Sequence, residues 1–133
     1  MWIASAYGFF SIVKKDKIFM VRARDEKDLN LLKRATGIKK KVSVSDHTDY
    51  YSRLILDADE LELVKEALFK SITYPNFKHE IGELSSQKKK LPYYTRVWNI
   101  MYEFQEKLLN REPSWMQEYY DQKDAKNNFK ASK

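Results

Sequence analysis

The stretch VRARDEKDLNLLKRA, residues 21–35, returns 32 positions later as RLILDADELELVKEA, residues 53–67. Asp25/Asp57, Leu29/Leu61, Leu31/Leu63, Lys33/Lys65 and Ala35/Ala67 are identical pairs, and Asp28/Glu60 and Leu32/Val64 are conservative ones. Each copy reads as a run of strand formers, then an aspartate suited to accept hydrogen bonds from the free amides of a helix start. An acidic residue follows three positions on, and apolar residues then recur at helical spacing. Five identities in eleven positions exceed what capping alone demands. Duplication and the shared needs of two capped amphipathic helices both account for the pattern. Where it breaks, Arg22 and Arg24 stand against Leu54 and Leu56, which singles out the arginines.

The flanking residues extend each copy to a β-β-α unit. Residues 2–13 read as a strand with Gly8 as a bulge or close-approach point, Lys14 to Lys17 as a polar turn, and residues 18–24 as the second strand of a hairpin. Asp25 with Asp28 starts a helix through Ala35, and Gly37 ends it in the left-handed conformation. In the second unit Val42 and Val44 begin a strand, residues 45–49 turn, and residues 50–56 form a strand. Asp57 and Glu60 cap a helix carrying Leu61, Val64 and Leu68, which Pro75 stops. The expected fold is α+β: units at about 2–37 and 42–74 form a four-stranded antiparallel sheet with two helices on one face. Strand-strand-helix order separates it from the RNA-recognition motif, which begins strand-helix-strand.

Beyond the units, residues 76–92 read as a polar connection with room for one short helix, and mobility is expected at 85–90. Residues 93–110 carry the strongest helical pattern, a stripe of Val97, Met101, Phe104 and Leu108 widened by Trp98, Ile100 and Leu109. One domain over 1–112 is expected, then a short docked helix within 113–124 and a frayed tail over 125–133. Alternation puts Ile18, Met20, Arg22 and Arg24 on one strand face, and Tyr51, Arg53 and Ile55 opposite Ser52, Leu54 and Leu56. Both faces are partly apolar, so the simplest arrangement lays the long helix over part of the second face.

Composition narrows the function. The 133 residues, 43% hydrophobic and 14% aromatic, support one packed domain. Absence of cysteine excludes disulfides and thiolate metal sites. No apolar run approaches the roughly 20 residues of a membrane span, and the opening alternates polar with aromatic residues instead of forming a leader. A cytoplasmic protein without membrane association is expected. A net charge of +6, from 25 basic and 19 acidic residues, permits a polyanionic partner and argues against an acidic mimic of DNA.

Two groups of residues carry candidate chemistry. Arg22 and Arg24, two positions apart on one strand face, suit a phosphate or carboxylate held by paired hydrogen bonds. The bland alternative is that they pair with Asp or Glu at a solvated edge. The stretch DHTDYYSR places His47, Asp49, Tyr50 and Arg53 within eight residues, with Asp49 able to orient His47 and Arg53 able to meet the arginine pair across the sheet. Asp and Thr there also serve a turn's own backbone. Two lysine clusters, Lys39, Lys40, Lys41 and Lys88, Lys89, Lys90, are placed to track a nucleic-acid backbone or simply to be solvated. Tyr93, Tyr94, Trp98 and Tyr102 recur at helical spacing, more often core than stacking platform. His47 and His79 are the only histidines and lie in no ligand spacing, so no metal is expected. No phosphate-cradling glycine loop is present among three glycines, and no cofactor is expected.

The motifs YGFFS (from Tyr7), VRAR (from Val21), TDYxxR (from Thr48), NFK (from Asn76) and WxxMY (from Trp98) resemble those of a family of small uncharacterised bacterial and phage proteins, over roughly residues 1–105. The resemblance implies no activity, but groups Arg22, Arg24, Asp49, Tyr50, Arg53, Asn76, Lys78 and Trp98 as one set of shared positions. The sequence thus favours a non-catalytic binder whose arginine-centred site takes nucleic acid or a nucleotide. The alternatives are a protein-interaction module or phage-type inhibitor using Trp115, Tyr119 and Tyr120, and a nuclease or phosphoryl-transfer enzyme using His47 and Asp49. A homodimer through open sheet edges also fits this fold.

Overall fold

A computed structural model describes residues 1–111 together with 118, 119, 122, 123, 125 and 126. Pro113, Trp115, Tyr120 and most of the residues expected to form the short helix and tail lie outside the described residues. The elements are β1 (Trp2–Ser5), β2 (Gly8–Lys15), β3 (Ile18–Ala23), α1 (Glu26–Thr36), β4 (Ser43–Val44), β5 (Ser52–Leu56), α2 (Ala58–Lys70), α3 (Phe77–Glu83), a 3₁₀ turn (Lys88–Lys90) and α4 (Leu91–Leu108). The fold is α+β, with an antiparallel sheet ordered β1-β2-β3-β5-β4.

Five strands replace the four expected, because the first run folds on itself. Ser5 Oγ accepts from the Tyr7 and Gly8 amides at 3.2 Å each and donates to the Gly8 carbonyl at 3.0 Å. The serine thereby satisfies a turn that pairs Ser5 with Gly8, making residues 2–13 a hairpin rather than one strand. Gly8 has φ +151°, and a Cβ there would lie 2.2 Å from Asp28 Cγ, so this position needs glycine both for conformation and for space.

The core lies between the sheet and α1 with α2. Phe10, Val21, Ala23, Leu54 and Leu56 from the strands meet Leu29 and Leu32 of α1 and Val64 and Leu68 of α2. Each buried Val, Leu or Phe contributes about 1.5–3 kcal/mol relative to exposure. Both helices therefore cover one face, as the pattern of the two copies predicts.

The phase of the strands differs between the copies. Leu56, which faces the helices, immediately precedes the Asp57 cap, whereas Arg24 intervenes between inward Ala23 and the Asp25 cap. The 32-residue offset therefore aligns caps and helices but leaves the strands one residue out of step, and one residue exchanges sheet faces. Register confirms it: Val21 pairs with Leu54, and Arg22 with Arg53. Arg22 and Arg24 do not replace core leucines. They occupy the opposite face, and the broken repeat is a phase slip.

The caps diverge as well. Asp57 and Glu60 form a reciprocal pair: Asp57 Oδ1 accepts the Glu60 amide at 2.8 Å and Glu60 Oε1 accepts the Asp57 amide at 3.0 Å. The Asp25 side chain accepts only the Lys27 amide, at 2.9 Å, while Asp28 turns inward and is 1% exposed. Asp28 Oδ2 accepts the Phe9 amide at 3.2 Å, and its Oδ1 accepts Gln87 Nε2 at 3.3 Å and Lys90 Nζ at 2.8 Å. Gln87, fully buried, also donates to the Tyr7 carbonyl at 3.1 Å. Residues 85–90, expected to be mobile, are thus anchored to the first hairpin and to α1.

Backbone proximity groups the chain into two compact units, Met1–Leu91 and Pro92–Lys133. In the second, α4 carries Pro92 in its first turn, where no amide is needed. Its stripe is not core: Val97, Ile100, Met101, Phe104 and Leu108 are each more than half exposed. Trp98 and Tyr102 stack at 5.2 Å between centroids. Among the described residues no helix is long and apolar enough to cross a membrane.

Candidate functional site

The sheet face opposite α1 and α2 carries one row through all five strands: Trp2, Ser11, Arg22, Arg53 and Ser43, each paired with the next. Side chains of directly paired residues project to the same side, so the two guanidiniums share a surface with an indole and two hydroxyls. Arg24, next on that side of the chain, lies just past the end of β3. Three cations meet here. Among the described residues neither Arg22, Arg24 nor Arg53 makes an ion pair with Asp or Glu.

Tyr50 organises the arginines. Its ring is 4% exposed, with the Arg22 guanidinium carbon 4.5 Å and that of Arg24 4.2 Å from its centre. Both are within cation–π range, so the ring partly offsets the repulsion between neighbouring like charges. Arg22 Nη2 donates to Ser11 Oγ at 2.7 Å, and Arg24 Nη1 donates to the Asp49 carbonyl. Arg22 Nε is buried with no hydrogen-bond partner. A buried, unmatched donor on a cation is costly, and an anionic oxygen is the partner that relieves it best.

Of the other expected residues, Asp49 belongs to the local turn: its Oδ1 accepts the Tyr50 amide at 3.0 Å. Thr48 Oγ1 donates to the Tyr50 carbonyl at 2.8 Å, and the His47 amide donates to Ser45 Oγ at 3.2 Å. No hydrogen bond joins the His47 ring to Asp49 among the described contacts. Asp49 serves the arginine site through its backbone carbonyl.

The lysine clusters are divided in the same way. Lys40 pairs with Glu60 at 2.7 Å and Lys90 with buried Asp28 at 2.8 Å. Lys39, Lys41, Lys88 and Lys89 are exposed. Asn76 caps α3 by accepting the His79 amide at 2.9 Å. Two residues of the site, Ser11 and Trp2, escaped the sequence reading. The two-residue turn between Lys15 and Ile18 sets Ser11 opposite Arg22 by simple counting, and that count was the available signal.

Comparison with protein-family profiles, with curated proteins and with solved structures found no match for this chain.

Proposed function

We propose that this protein binds single-stranded nucleic acid on the arginine face of its sheet, without catalysis. The observation that carries the reading is the unpaired trio Arg22, Arg24 and Arg53, two of them held against buried Tyr50 and one with an unmatched buried donor. The guanidiniums would hold phosphate, by paired hydrogen bonds. Trp2, 76% exposed in the same row, and half-exposed Tyr51 offer ring faces for unstacked bases. Strand spacing sets Trp2 about 10 Å from Arg22 across the sheet, a reach suited to one or two nucleotides. Alternating aromatic and cationic groups favour single strands over a duplex, whose bases are already stacked.

Fluorescence anisotropy of labelled single- and double-stranded DNA and RNA, titrated across salt concentrations, tests this. Arg22→Glu/Arg24→Glu is expected to weaken single-strand binding at least tenfold and make the salt dependence shallower by one to two phosphate contacts. Trp2→Ala, at an exposed position, is expected to cost about 1–3 kcal/mol of binding if a base stacks there. Binding indifferent to all three substitutions would move the contact to Lys39, Lys41, Lys88 and Lys89. No binding by the wild type at low salt would favour the second reading, a protein-interaction module, for which the exposed α4 stripe is the supporting observation.

A further inference from the structure

The other side of the sheet holds a cleft that the nucleic-acid reading does not use. α1 packs on β2, β3 and β5, and α2 packs on β3 and β5, so the edge formed by β1 and the start of the hairpin is left only partly roofed. The opening, about 520 Å³, lies between that edge and α2. Its floor includes Ile3, Ile12 and Phe19, and its wall is a helical stripe of Leu61, Leu68 and Phe69. Among the described residues the charged side chains that line it are Lys14 and Lys65, beside Met1, whose terminal ammonium donates to the Ile12 carbonyl. Lys14 Nζ stands 5.8 Å from the Phe19 ring centre. Lys65 pairs at 2.8 Å with Glu62, which does not line the cleft, and both partners are well exposed, so that bond exchanges readily for another anion.

We propose that this cleft binds a single-chain anionic amphiphile, a long-chain carboxylate. Volume and walls suit a small apolar ligand rather than a protein, whose stable interface needs upward of about 1,000 Å². The charge pattern sets the head group: cations at the rim, no lining carboxylate, apolar walls within. Phe69 is 72% and Ile72 58% exposed at the mouth, apolar surface that an acyl chain would remove from water. The site lies on the helix-bearing face, away from the arginine row, and either proposal can fail alone.

Isothermal titration with dodecanoate below its micellar concentration, against dodecyltrimethylammonium and dodecanol, tests the inference. Saturable one-to-one binding of dodecanoate is expected, with the cationic amphiphile at least tenfold weaker and dodecanol weaker than dodecanoate. Lys14→Glu/Lys65→Glu is expected to reverse the preference between anion and cation, and Phe69→Glu to raise the dodecanoate Kd at least tenfold. All three positions are exposed, and circular dichroism confirms that the variants fold. Absence of saturable binding, equal binding of the cationic amphiphile, or variants that bind like wild type would overturn the proposal. Loss of a wild-type dimer in Phe69→Glu would overturn it too, by giving the cleft to a second copy of the chain.

Discussion

The two strand–cap–helix segments share most of their side chains, yet their third post-cap residues have opposite fates. Glu60 is partly exposed, closes a reciprocal cap and pairs with the exposed Lys40. Asp28 enters the core and gathers an amide from β2 and a carboxamide and an ammonium from the 87–90 turn. One methylene and one intervening residue separate the two cases. The difference teaches that a local pattern specifies a helix start, but not which way its acidic residue turns. That depends on whether donors elsewhere can satisfy a buried carboxylate.

Substitution at Asp28 should distinguish the two most sharply. Asp28→Ala strands the Lys90 ammonium and the Phe9 and Gln87 donors, and is expected to cost about 3–5 kcal/mol in urea unfolding, as breaking a buried pair does. A loss no greater than that of Glu60→Ala would break the comparison. Gly8→Ala comes next, combining a disfavoured φ with overlap against Asp28, and about 3 kcal/mol of destabilisation is expected by the same measurement. Gly8→Ala should cost less in an Asp28→Gly background, because both the Cβ and the carboxylate it overlaps are gone; strict additivity would count against the contact.

The smallest effect lies at the second cap. The Glu60 amide donated to Asp57 holds its carboxyl below the usual aspartate range. A group with a lowered folded pKa stabilises above its unfolded value and loses that contribution as pH falls through the folded one. Thermal unfolding followed downward from pH 6 should therefore show the wild type losing a small increment below about pH 4, the ordinary aspartate value. Asp57→Asn, which caps without titrating, should lose less over the same range. Parallel profiles would show that the cap carries no titratable stability.

Much of the fold was legible in the chain. The pairing of Asp57 with Glu60, the helices through Leu29, Leu32, Val64 and Leu68, the left-handed Gly37 and the long final helix all follow from spacing within a few residues. The split of the first strand was not, because Ser5 and Gly8 form the turn through a side-chain hydroxyl that strand propensity ignores. The apolar stripe on α4 is exposed, since periodicity reports that a helix has an apolar face without reporting what meets it, and of the aromatics expected as core, Tyr94 is buried while Tyr93 and Trp98 are exposed. At the candidate site, alternation set Arg22 and Arg24 on one strand face, while the pairing of Arg22 with Arg53 comes from the register. The reading of the arginines as displaced leucines failed on a single-residue slip.

Local interactions and periodicity, acting over a turn or two of chain, were thus enough for the sequence alone to determine the helices, their caps and most of the strands, and that Arg22 and Arg24 share a strand face. Tertiary structure decided where polar groups became partners: Tyr50 beneath two guanidiniums, Ser11 opposite Arg22, Asp28 between Gln87 and Lys90. The last of these contacts joins residues 59 and 62 positions apart. Their geometry follows from register and from the cost of burying an unpaired charge, and neither is encoded in any short window of sequence.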